Sequence, residues 1–148
     1  MISIDTESDQ TFPVDLLERA ARAVLDLSGV PDADLTLVLT GDSQIQTLNR
    51  DFLGKDAPTD VLAFPADESD PETGRRYLGD VIVSLPRATE QAVERGHTVG
   101  AEVQLLVVHG VLHLLGHDHA GADDKTRMWV FQAEALERLG VPPKIVHE

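Results

Sequence analysis

The sequence predicts an α+β domain in which a mixed sheet of about four strands packs against helices. Three observations lead to this class. Short segments alternate apolar and polar residues, longer segments repeat apolar residues at helical spacing, and glycine or proline separates the two kinds. The chain has 148 residues, the size of one ordinary domain, and no repeat, low-complexity tract or long linker divides it. We therefore expect a single domain over residues 1–148.

The first part of the chain predicts a strand, a helix and a second strand. Residues 2–5 alternate apolar and polar side chains, whereas residues 14–27 have apolar positions at helical spacing. Residues 35–39 alternate again, and Gly41 ends this second strand. A β-α-β unit with a parallel strand pair is the expected result.

A helix and two strands are predicted for the middle of the chain. Asp42 or Ser43 can cap a helix that runs to about Phe52. Residues 61–64 then predict a short apolar strand, which Pro65 is expected to close.

Residues 66–76 are polar and rich in turn formers, so they predict a connection without regular structure. The next strand is predicted over residues 78–85 and can pair antiparallel with its predecessor. Three helices complete the chain, because each remaining apolar segment begins at a residue suited to a helix start and ends at glycine. Their expected ranges are 86–95, 98–116 and 123–140.

Charge and composition limit the function. The formal net charge is −14. Such a charge repels polyphosphates unless basic groups gather on one face of the protein, so it counts against binding of nucleic acids. We do not expect DNA as a partner. Cysteine is absent, so a metal would have to be held by His, Asp or Glu. The N-terminal residues do not resemble a signal peptide, and the apolar run over 105–115 is shorter than a membrane span. We expect a cytoplasmic protein without a membrane partner.

The segment HGVLHLLGHDH, residues 109–119, holds four of the six histidines. On a helix, His109 and His113 lie one turn apart on the same side, and Gly116 lets the backbone leave the helix sharply. His119 follows in the turn. Three imidazoles suit one Zn²⁺ and leave a fourth position for water. We therefore predict a metal site on this central helix and the turn after it, with His109, His113 and His119 as ligands.

A histidine on its own is more often satisfied by hydrogen bonds than by a metal. The pair changes this expectation, because its helix is apolar nearly all round and each unsatisfied ring would cost about 1–3 kcal/mol. Asp118 either accepts a hydrogen bond from a ligand ring or caps the turn, and both alternatives stay open. His117 is predicted to be exposed, and His97 and His147 are assigned no role.

The spacing HxxxHxxGxxH is also that of the metzincin proteases, HExxHxxGxxH. Their general-base glutamate is replaced by Gly110 in this chain. The motif therefore favours metal-assisted hydrolysis while weakening the interpretation as a protease.

Three stretches of the chain resemble the YbeY family, bacterial endoribonucleases and ribosomal RNA maturation factors. They are LNRDFLGKDAPTDVLAFP (48–65), LGDVIV (78–83) and HGVLHLLGHDH (109–119), and they occur in the family's order. The resemblance covers roughly residues 35–140. It implies an α+β fold with the metal helix against a four-stranded sheet.

The resemblance also implies a function. The family acts as metal-dependent, single-strand-specific endoribonucleases in ribosomal RNA processing, including maturation of the 3′ end of 16S ribosomal RNA, and in ribosome quality control. Zinc is the usual ion. The expected partners are single-stranded RNA, as a ribosomal RNA precursor, and the ribosome or its proteins.

Matched residue by residue, His109, His113 and His119 fall on the family's metal ligands, and the family's functional arginine falls on Leu53. An arginine there would clamp a phosphate, which leucine cannot do. Arg50, one helical turn earlier, is a candidate to reach the same space, and Lys55 is another.

Arg50 and Asp118 are thus the two candidate catalytic residues, and the general acid and base stay unassigned. The family commonly has serine where this chain has Ala63. Asp60 and Asp80 are expected to hold loop or sheet edges. Two other functions remain open: a metalloprotease-like hydrolase, and a non-catalytic ribosome-assembly factor with a structural metal.

Overall fold

Strands and helices alternate in the first half of the chain, and three helices follow the last strand. The computed structural model describes residues 1–7, 11–117 and 121–141. Within these ranges the elements are, in chain order, β1 (Ile2–Thr6), α1 (Val14–Leu27), β2 (Asp34–Thr40), α2 (Asp42–Leu53), β3 (Val61–Ser69), β4 (Arg76–Ser84), α3 (Leu85–Arg95), α4 (Val99–Leu114) and α5 (Ala122–Arg138).

The four strands form one mixed sheet in the order β1-β2-β4-β3. β1 pairs parallel with β2, and β2 pairs parallel with β4. β3 pairs antiparallel with β4 and forms one edge of the sheet. The predicted α+β class is confirmed, as are the parallel pair around α1 and the antiparallel pair of β3 and β4. None of the helices in the described ranges is both long and apolar enough to cross a membrane.

The two faces of the sheet carry different helices. Along β4, Val81 and Val83 belong to the main core, which α1, α4 and α5 complete. Ile82 lies between them in sequence and belongs instead to a small cluster with Ile45 of α2. Because successive residues of a strand point to opposite faces, α2 covers one face and α1, α4 and α5 cover the other.

Helix α4 lies directly on β4 because it has no side chain at Gly110. A Cβ built at this position would come within 2.6 Å of Val81 Cγ1, closer than real Cβ contacts. Any larger residue at 110 would collide with the Val81 side chain, so that side chain or the helix would have to shift. Gly110 thus allows α4 to lie close to β4.

The prediction that Pro65 closes β3 is wrong, and the connection predicted over residues 66–76 is confined to residues 70–75. β3 continues to Ser69, and its pairing with β4 shifts register between Pro65 and Glu68. Such an irregularity accommodates a residue that has no N–H to donate. Opposite it, Gly79 has φ +135°, and a Cβ there would meet the Phe64 carbonyl oxygen at 2.2 Å.

Two predicted helix starts are also wrong. The N-cap of α2 is Gly41, and Asp42 is the first helical residue, whose carboxylate accepts a hydrogen bond from the Ser84 hydroxyl at 2.7 Å. Helix α5 has Gly121 as its N-cap, so Asp123 and Asp124 lie inside its first turn. There their negative charges interact favourably with the N-terminal end of the helix dipole.

The start of α4 is held by an ion cluster formed by Arg95, His97 and Glu102. Thr98 caps the helix as predicted, because its side chain accepts a hydrogen bond from the Ala101 N–H. Glu102 is fully buried, and Arg95 Nη1 lies 2.8 and 3.1 Å from its two oxygens. His97 Nε2 lies 2.5 Å from Glu102 Oε1, so His97, which was assigned no functional role, has a structural contact at the start of α4.

Candidate functional site

The structure brings His109 and His113 together on α4. Their Nε2 atoms lie 3.1 Å apart, and their ring centroids are 4.7 Å apart with the ring planes at 70°. Both side chains are half-buried in a helix whose other residues are mostly buried. The predicted pair of adjacent imidazoles therefore exists, with one nitrogen of each ring directed at the same point.

The geometry of the pair fits a metal ion. Zinc binds imidazole nitrogens at about 2.0–2.1 Å, and a tetrahedral angle at the ion then separates two ligand nitrogens by about 3.3–3.4 Å. The observed 3.1 Å is close to this separation. The same distance suits a single N–H···N hydrogen bond between the rings, so the contact is compatible with a metal site without requiring one.

The third predicted ligand, His119, and the candidate Asp118 lie outside the described residues. In the part of the chain that the structure describes, no group of three His, Cys, Asp or Glu side chains could hold an ion. The described portion of the predicted centre is therefore the pair on α4.

Gln132 of α5 contacts His109, one member of the pair. Its Oε1 lies 3.2 Å from Nδ1 of His109, and its side chain is fully buried. Gln132 was not predicted from the sequence as a site residue. A polar residue in an apolar stripe would have indicated it, because Gln132 lies on α5 one turn from Met128 and one turn from Leu136, both of which are buried.

His117 lies just beyond α4 and packs on α5 rather than facing solvent as predicted. Its ring centroid is 5.0 Å from that of Phe131, and the side chain is half-buried. Burial lowers the pKa of His117, and the charge of Arg127 lowers it further. With Asp124, His117 and Arg127 line a small cavity of about 160 Å³ at the end of α4.

Position 110 cannot supply the base of a metzincin protease. Gly110 lies against Val81, where even a Cβ would collide. A glutamate at this position would be directed into the sheet and away from the pair. A glutamate at position 110 is thus incompatible with the observed packing of α4 on β4.

The structure does not bring Arg50 together with the histidine pair. Arg50 lies on α2, on the opposite face of the sheet from α4, and its Nε is 3.1 Å from a carboxylate oxygen of Asp51. Leu53, at the family's arginine position, is the last residue of α2 and is 53% exposed. Gly54 ends the helix with φ +74°, and Lys55 beyond it is exposed.

Asp60 and Asp80 hold local structure as predicted. Asp60 accepts a hydrogen bond from the Val61 N–H at 2.8 Å and a longer one from Gln91 of α3. Asp80 accepts a hydrogen bond from the Tyr77 hydroxyl. Ala63 on β3 is half-buried and packs against the main core.

The fold and the pair define a class of protein: a mixed sheet covered on one face by a buried helix that presents two turn-spaced histidines. Comparison with known proteins identifies the family. The family model described as Endoribonuclease YbeY matches residues 3–140. The chain belongs to the YbeY family of endoribonucleases, a family that in general depends on a metal.

Individual relatives agree with this assignment. Endoribonuclease YbeY of Halalkalibacterium halodurans is 42% identical over 144 residues, which cover 92% of this chain and 89% of the relative. Endoribonuclease YbeY of Chloroflexus aurantiacus is 41% identical over 148 residues, with coverage of 95% and 96%. The solution structure of a Thermotoga maritima protein superposes with a TM-score of 0.62 at 28% identity, covering 97% of this chain and 95% of that one.

Proposed function

We propose that residues 1–148 form one metal-dependent hydrolase domain, an endoribonuclease that cleaves single-stranded RNA. Its substrate is a ribosomal RNA precursor, including the 3′ end of 16S ribosomal RNA, and it acts in ribosome quality control in the cytoplasm. The observation that carries the proposal is the 3.1 Å separation of the two Nε2 atoms on α4 of a YbeY-family chain. The metal is one Zn²⁺.

His109, His113 and His119 would hold the ion. When bound, a divalent ion supplies Lewis-acid chemistry for hydrolysis of a phosphodiester. The residues themselves contribute neutral donors, which leave the full charge of the ion available, unlike carboxylates. The packing of α4 on β4 holds the pair rigidly, so little reorganisation accompanies the reaction.

Two further residues remain candidates for catalysis. Asp118 is adjacent to His119 in sequence and could orient a ligand ring by accepting its N–H. Arg50 would have to reach the site around the edge strand β3, because α2 covers the other face of the sheet. The family's arginine position, residue 53, is leucine and provides no cation in this chain.

The charge of −14 supports a substrate presented by the ribosome rather than free RNA. An acidic protein is repelled by isolated polyphosphate, whereas basic ribosomal proteins beside the RNA offset this repulsion. Single-stranded RNA suits the site because an unpaired backbone can enter a cleft that a duplex cannot.

Incubation of zinc-loaded and chelator-treated protein with a ribosomal RNA precursor and with unfolded casein tests the proposal. We expect cleavage of the RNA by the zinc-loaded protein alone and no cleavage of casein. If the zinc-loaded protein instead cleaves casein and leaves the RNA uncut, it is a metalloprotease-like hydrolase. If the chelator lowers the Tm and the zinc-loaded protein does not cleave the RNA, the protein is an assembly factor with a structural metal.

Leu53 is the last residue of α2 and lies at the edge of the sheet, where the neighbouring Phe52 ring contacts Phe64 of the edge strand β3. Leu53→Arg is expected to raise kcat/KM for RNA cleavage about 10-fold, because a guanidinium at this edge can pair with a phosphate and stabilise charge on it. Val93→Arg on α3 is the matched control, since Val93 is also exposed and the charge change is the same. The control is expected to change kcat/KM less than about twofold, the effect of one added charge on RNA attraction. Equal gains in the two variants would refute a specific role for position 53.

A further inference from the structure

Gln132 is an unusual residue for its position on α5. Its side chain is fully buried, and the residues one turn to either side, Met128 and Leu136, are buried apolar side chains. Helix α5 packs there against α4 and α1 as part of the main core. A polar amide in such a stripe needs a compensating interaction.

One end of the amide has such an interaction. Oε1 of Gln132 lies 3.2 Å from Nδ1 of His109. Because an amide oxygen can only accept, the proton in this contact must be carried by Nδ1. A neutral imidazole has one N–H, so Nε2 of His109 is unprotonated and directs its lone pair towards His113.

The nitrogen end of the amide lacks such an interaction in the described part of the chain. Nε2 of Gln132 is buried and has no hydrogen-bond partner among the residues that the structure describes. A buried donor left unsatisfied destabilises a fold, so a methionine or leucine would be the more stable occupant of this stripe. Among the residues that the structure describes, the contact with His109 is the one interaction that glutamine makes here and an apolar residue could not.

We propose that Gln132 is a positioning residue that holds His109 in the tautomer with the proton on Nδ1, so that Nε2 can bind the metal. The inference rests on the proposed metal site. The amide does not touch the ion or the substrate. It removes the tautomer in which Nε2 carries a proton and could not coordinate, and it fixes the rotation of the ring on α4.

Gln132→Met in the full chain tests this role through zinc affinity, measured by competition with a chelator of known affinity. We expect a 10–100-fold weaker affinity, the range found when a group that orients a metal ligand is lost. The Tm of the metal-free variant should change little, because loss of the His109 contact is offset by removal of an amide nitrogen that has no partner among the described residues. A role confined to packing would change Tm and leave zinc affinity unchanged.

Gln104→Met is the matched control. Gln104 is also a buried glutamine of the core, but its amide donates to the Leu16 carbonyl at 3.2 Å and not to a histidine. This variant should lose stability without metal, because the carbonyl is left unpaired, and should keep wild-type zinc affinity. Gln132→Glu retains an oxygen acceptor and should bind zinc at least 10-fold more tightly than Gln132→Met.

The outcomes separate this inference from the proposed function. Two results would overturn the role of Gln132 and leave the metal site standing. One is a zinc affinity of Gln132→Met equal to that of the wild type. The other is an equal loss of zinc affinity in Gln132→Met and Gln132→Glu. Absence of zinc binding by the wild type at saturating zinc would overturn the metal site as well. ¹⁵N NMR of the metal-free protein gives a readout without zinc: His109 should carry its proton on Nδ1 in the wild type and lose this preference in Gln132→Met.

Discussion

Replacing His113 with alanine will abolish stoichiometric zinc binding and reduce RNA cleavage at least about 10³-fold, a loss of about 4 kcal/mol in transition-state stabilisation. The reason is geometric. The two Nε2 atoms on α4 are the described two of the three predicted ligand atoms. When one is removed, the single imidazole left on this helix cannot hold the ion in place of the pair. Metal analysis of the purified variant and cleavage of a ribosomal RNA precursor measure the two effects.

His117→Ala is the matched control for this prediction. His117 belongs to the same histidine-rich segment, but its ring packs on Phe131. The control should bind one zinc per chain, and its cleavage should stay within a few-fold of the wild type. If His113→Ala contains as much zinc as the wild type, the assignment of the pair as metal ligands is wrong.

Glu102→Ala will destabilise the protein by about 3–5 kcal/mol, because it leaves the Arg95 guanidinium and the His97 ring without their buried carboxylate partner. Arg95 and His97 both direct nitrogen atoms at Glu102, whose side chain has no exposure to solvent. A loss of this size is a large part of the stability of an ordinary domain, about 5–15 kcal/mol. Urea unfolding of the metal-free protein measures it.

Glu94→Ala provides the comparison for Glu102→Ala. Glu94 lies on the neighbouring helix α3 and is exposed, so its removal should change the free energy of unfolding by less than about 0.5 kcal/mol. A loss below about 1 kcal/mol in Glu102→Ala would mean that the ion cluster contributes no more than an exposed pair does.

The parts of the fold that depend on local patterns could be predicted from the sequence. The range of α1 was predicted as residues 14–27 and is observed as Val14–Leu27, because its apolar periodicity and its ends are local features. The adjacency of His109 and His113 was predictable for the same reason, since residues four apart on a helix share a side.

Features that arise between elements were missed or misplaced. Pro65 was expected to end β3, but the register shift that accommodates it depends on β4. The absence of glutamate at position 110 was visible in the sequence, whereas the contact of Gly110 with Val81, which leaves no room for a side chain, became visible only in the packed structure. Gln132 meets His109 only because α5 folds back on α4.

Anomalous diffraction at the zinc absorption edge from crystals of the zinc-loaded protein tests the metal centre most directly. We expect one peak per chain, about 2.0–2.1 Å from Nε2 of both His109 and His113, with His119 as the third ligand. No peak at the pair, or a peak whose ligands exclude either ring of α4, would contradict it.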